Sequence, residues 1–61
     1  MKLSKLQQKL FDTMMDSDDF YCMLCEMRND GQDVEKYVEE IRQDISTMDA
    51  IELRANIKVW E

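Results

Sequence analysis

Cys22 and Cys25 stand three residues apart within "DDFYCMLCEM", residues 18–27, and they are the only cysteines in a 61-residue chain. A Cys-x-x-Cys pair can be half of a tetrahedral zinc set, or a dithiol redox couple when it opens a helix behind a strand. Zinc takes four ligands. The chain has no His and no third Cys, so only a symmetric dimer could supply four thiolates. The same ten residues carry five other apolar side chains, Phe20, Tyr21, Met23, Leu24 and Met27. Free cysteine is among the most buried residue types. The expectation is therefore that both cysteines are structural and packed in the core, with no metal and no cofactor.

Other chemistry is poorly served. Without His, a Ser or Cys nucleophile lacks its usual base, and a single glycine, Gly31, cannot make a phosphate-cradling loop. The carboxylates of "DSDD" and "NDGQD" fail as calcium loops. A register beginning at Asp16 puts Phe20 at the fifth loop position and Met27 at the twelfth, where oxygens are required; one beginning at Asp30 puts Val34 at the fifth. Paired acids such as Asp18 and Asp19 carry little signal in so acidic a chain. No enzymatic activity is expected.

Fourteen acidic against eight basic residues give a formal charge of −6, which repels duplex DNA and anionic bilayers unless a basic patch intervenes. The basic residues are scattered, and only Lys2, Lys5 and Lys9 lie close together. Leu3, Leu6 and Leu10 are interrupted by polar residues, so they make no signal-peptide core. No apolar run approaches the roughly 20 residues of a membrane span. Two cysteines also suit a reducing compartment. A soluble, cytoplasmic protein with no nucleic-acid or membrane partner is expected.

These side chains would be positioned by short helices. "SKLQ" has the form of a capping box, and Leu3, Leu6, Leu10 and Met14 follow at helical spacing, with Phe11 and Met15 as a second stripe. Acidic caps at 16–19 predict a second helix from Asp18 to Asn29, ended by Gly31. Because it is apolar nearly all round, it is expected at the centre of the bundle. Asp33 caps a third helix carrying Val34, Tyr37, Val38, Ile41, Ile45 and Met48. "STMD" at 46–49 repeats the capping-box form and suggests a new helix or a kink. The last segment has two stripes, Ala50, Leu53, Ile57, Trp60 and Ile51, Ala55, Val59. "IKVW" alternates like a strand, but nothing else in the chain could pair with it, and a helix is preferred. The fold class is all-α: one domain, residues 1–61, built as a compact bundle of three or four short helices.

Phe11, Met15, Tyr21, Ile51 and Val59 lie off the principal stripes, and with Trp60 from the end of the last helix's first stripe they form a candidate protein-binding patch. A chain this short has a small core, so the surplus also predicts a two-fold homodimer. Glu35, Glu39, Glu40 and Asp44 form a candidate acidic face on the third helix. No motif carries a family resemblance. The profile, short, acidic, helical and without catalytic groups, looks like the small regulators and inhibitors that bacteriophages and mobile elements direct against host proteins, a likeness of composition that names no target. The expected function is a non-enzymatic protein-binding regulator or inhibitor that occupies a surface on a host protein. Two alternatives stand beside it: an acidic mimic that blocks a nucleic-acid-binding groove, and a helix-turn-helix-like regulator using Arg54, Asn56 and Lys58.

Overall fold

The computed structural model describes residues 2–61 and folds them into four α-helices: α1 (Lys5–Met15), α2 (Asp18–Asn29), α3 (Val34–Ser46) and α4 (Ala50–Trp60). The all-α bundle matches the sequence pattern, and "IKVW" continues α4 as helix.

Each helix begins on a side chain that accepts one of the backbone N–H groups left free in a first turn. Ser4 accepts from Gln7, Ser17 from Phe20, Asp33 from Lys36 and Asp49 from Glu52. At α1 the capping box is complete, since the Gln7 side chain in turn accepts the Ser4 N–H at 2.9 Å. The fourth helix start differs from expectation. Ser46 is the last residue of α3 and its hydroxyl donates to the Gln43 carbonyl, so Asp49, and not Ser46, is the cap of α4. The short Asp side chain at the end of the turn is already in capping position, which leaves Ser46 to finish α3.

Gly31 ends α2 in the left-handed region, φ +82°. The Gly31 N–H donates to the Arg28 carbonyl and the Gln32 N–H to the Met27 carbonyl. This Schellman pair satisfies two carbonyls that the helix end would leave free.

The core is a cluster of Leu10, Phe11, Ile45, Leu53 and Ile57, with Leu3, Leu6, Met14, Met15, Val38, Ile41, Met48 and Trp60 packed partly against it. Leu10, Ile45 and Phe20 are each only 1% exposed, and burying a side chain of that size contributes roughly 1.5–3 kcal/mol. The central helix is α1, which packs on all three others and most extensively on α4.

That corrects the sequence-based placement of α2. Of its residues only Phe20 is buried; Met23, Leu24, Cys25 and Met27 are half-buried, and Tyr21 and Cys22 are exposed. Apolar content alone does not bring neighbours to a helix. Turns of two to four residues on either side carry α2 to the edge, where it touches α1 and α3 over short stretches. The bundle is accordingly flat, 34 × 24 × 14 Å.

Two contacts tie its ends together. The Gln7 side-chain amide on α1 donates to the Ser46 carbonyl at the end of α3, 3.1 Å away. At the other end, the Phe20 ring near the start of α2 meets Trp60 at the end of α4.

Candidate functional site

The candidate patch divides. Phe11 is 8% exposed and belongs to the core, which corrects the expectation that it lies on the surface. Because α1 is central, both of its adjacent apolar stripes pack into the core, Leu10 on one and Phe11 on the other. Arg42 completes the cover by laying its guanidinium carbon 4.7 Å from the centre of the Phe11 ring. Met15 is half-buried against the core. Trp60 is also half-buried, its ring in a T-shaped pair with Phe20, centroids 5.7 Å apart. Three of the six remain outside: Tyr21 at 64%, Ile51 at 78% and Val59 at 78%.

Ile51 and Val59 share one helix face. At about 100° per residue, Ile51, Ala55 and Val59 fall within an arc of about 80°, and its midpoint lies about 180° from the midpoint of Leu53 and Ile57. Leu53 and Ile57 are buried. The outer stripe is therefore the face of α4 turned directly away from the core, about 12 Å long from Ile51 to Val59 at a rise of about 1.5 Å per residue. Glu52 borders it on one side and Lys58 on the other, and all five residues from Ala50 to Arg54 except Leu53 are exposed. Tyr21 stands on a different element, α2.

The acidic residues Glu35, Glu39, Glu40 and Asp44 are all exposed, but they do not make one continuous face. On the α3 wheel they occupy two flanks, Glu35 with Glu39 and Glu40 with Asp44, with Lys36 and Gln43 running between them. The first flank is also partly neutralised. Arg42 Nε lies 3.9 Å from a Glu39 carboxylate oxygen, too far for a hydrogen bond, and that nitrogen is buried without a hydrogen-bond partner. The contact is a long-range attraction beside a cation–π stack.

On α4, Arg54 and Lys58 are exposed, while Asn56 is half-buried and donates its amide to the Glu52 carbonyl at 2.8 Å. An asparagine folded back on its own helix does not present its amide to a base edge.

Cys22 and Cys25 are free thiols, Cys22 exposed and Cys25 half-buried. The expected burial fails for the same reason that α2 is peripheral. Among the described residues no cluster of three or more His, Cys, Asp or Glu is placed to hold a metal ion. An open groove between the end of α2 and the first half of α3 is lined by Met27, Gln32, Asp33, Lys36, Tyr37 and Glu40. Sequence alone does not indicate it, since its two walls meet only through the turn at Gly31. Among the described residues no helix is long and apolar enough to cross a membrane.

Compared with protein-family models, with curated proteins and with solved structures, the chain matches none.

Proposed function

We propose that this chain is a small non-enzymatic protein-binding module, a regulator or inhibitor that acts by occupying a surface on another protein, and that its contact face is the outer stripe of α4. One observation carries this reading: Ile51 and Val59, each 78% exposed, flank Ala55 on the face opposite the buried Leu53 and Ile57. Two β-branched residues on an exposed helix face lower helix propensity slightly and gain nothing from burial within the chain. An apolar helical stripe bordered by charges is the form that docks in a groove or against another helix. The absence of His and of any phosphate loop supports a binding role over an enzymatic one.

The same stripe suits a second copy of the chain, because a two-fold pair needs only one self-complementary patch. The flat bundle supports this form, since it leaves its outer faces without a second layer. An acidic-mimic role draws on the four exposed carboxylates of α3, but Lys36 and Gln43 interrupt them, and the α4 stripe is favoured. Sedimentation equilibrium at micromolar concentration tests the self-associating form. A dimer mass that falls to monomer in Val59→Asp supports pairing through α4. A dimer unaffected by that change argues against the stripe as the contact.

A further inference from the structure

We propose that Cys22 and Cys25 are a reversible modification site, a dithiol that a small-molecule disulfide such as oxidised glutathione converts to an intrachain disulfide, overwinding the middle turn of α2. Both are free thiols on one helix, with Cys22 exposed and Cys25 half-buried. Cys22 is open to attack on an incoming disulfide, and Cys25 is one turn further along, positioned to resolve the adduct.

The geometry fixes what closure does. Residues three apart on an α-helix have Cβ atoms about 5–6 Å apart, whereas a disulfide requires about 3.5–4.5 Å. Winding the turn to a 3₁₀ helix brings residues i and i+3 into line, so forming the bond and tightening the turn are one movement. Over three residues the rotation per residue rises from about 100° to about 120°, turning the remainder of α2 by about 60°. Met27 lies on that remainder and lines the groove with Tyr37 and Glu40, so oxidation rotates a wall of the groove. The helix can accommodate this. Its one buried side chain, Phe20, precedes Cys22, and Gly31, with φ +82°, ends the rotating part in a turn.

In the first step the Cys22 thiolate attacks one sulfur of the small disulfide. Its S–S bond breaks, a thiolate leaves, and a mixed disulfide forms on Cys22. The Cys25 thiolate then attacks Cys22 Sγ and the second small thiolate leaves. The two protons released by the cysteines end on the two departing thiols, so the protein is oxidised by two electrons and the small disulfide reduced by two.

The whole chain is incubated with oxidised glutathione and followed by intact mass, peptide mapping and amide hydrogen exchange. The expected product is a monomer lighter by two hydrogens, linked Cys22 to Cys25 and restored by dithiothreitol, with the amides of residues 26–29 exchanging about tenfold faster than in the reduced form. Cys25→Ser, checked for native helix content by circular dichroism, is expected to stop at the mixed disulfide on Cys22. Unreacted protein, a wild-type mixed disulfide that persists, a disulfide-linked dimer, or a Cys22–Cys25 bond that leaves exchange at 26–29 unchanged each overturns the proposal.

Discussion

The rings of Phe20 and Trp60 meet edge-to-face, 5.7 Å between centroids and at an interplanar angle of 86°, joining the start of α2 to the end of α4. Phe20 is 1% exposed, and removing a buried aromatic ring costs about 3–5 kcal/mol. For a domain of this size that approaches the whole folding free energy. Phe20→Ala is expected to lose its cooperative thermal transition by circular dichroism. Phe20→Leu, which keeps most of the buried volume, is expected to retain the transition at lower temperature. Trp60 is the only tryptophan, so its fluorescence reports directly whether the end of α4 stays docked.

Gln7 uses both ends of its amide, accepting from the Ser4 N–H and donating to the Ser46 carbonyl. Gln7→Glu keeps the acceptor but removes the donor, and leaves a carboxylate facing a carbonyl. Expected losses are about 1–2 kcal/mol for Gln7→Glu, measured by urea unfolding. An equal stability for Glu and Gln at this position would mean that the α1–α3 bond contributes nothing.

Arg42 over Phe11 contributes through its planar cation and its stem as much as through charge. Arg42→Ala is expected to lose about 1 kcal/mol, with little change in that loss between low and high salt, because the Glu39 partner at 3.9 Å is long and its side chain is 60% exposed. A loss that vanishes at high salt would assign the stabilisation to Glu39 instead.

A methyl group added at Gly31 would meet no atom within 4 Å, yet the residue's φ is +82°. Gly31→Ala is therefore expected to cost about 1 kcal/mol from backbone strain alone, with no loss of helix content. Gly31→Asn, better tolerated in the left-handed region, is expected to cost less. Urea unfolding of the three proteins side by side checks the order.

Much of the bundle was legible because caps and periodicity act locally. Ser4, Asp33 and the Gly31 stop mark their helix ends by chemistry that a few neighbouring residues decide. The outer stripe of α4 was legible too, since Ile51 and Val59 lie opposite Leu53 and Ile57 on any straight helix. Which helix is central was not. Phe11 lies on the second stripe of α1, and Cys22 lies on the side of α2 opposite Phe20, Met23, Leu24 and Met27, yet Phe11 is buried and Cys22 exposed. The difference is that α1 has neighbours on several sides and α2 has few, a property of the loops and of distant packing. Nor does spacing along the chain foretell that Arg42 on α3 would cover a ring on α1.

The α4 stripe as contact face is tested by comparing the proteins captured from the native host cell by the tagged wild type and by an Ile51→Asp, Val59→Asp variant. Both positions are 78% exposed, so the variant is expected to keep the wild-type circular dichroism spectrum and melting temperature. Proteins enriched by the wild type are expected to persist through washes at about 0.5 M salt, where exposed charge pairs are screened, and to disappear from the variant. An identical set retained by both, or a set released by salt and lost instead on replacing Glu35, Glu39, Glu40 and Asp44, would rule out the stripe as the contact face.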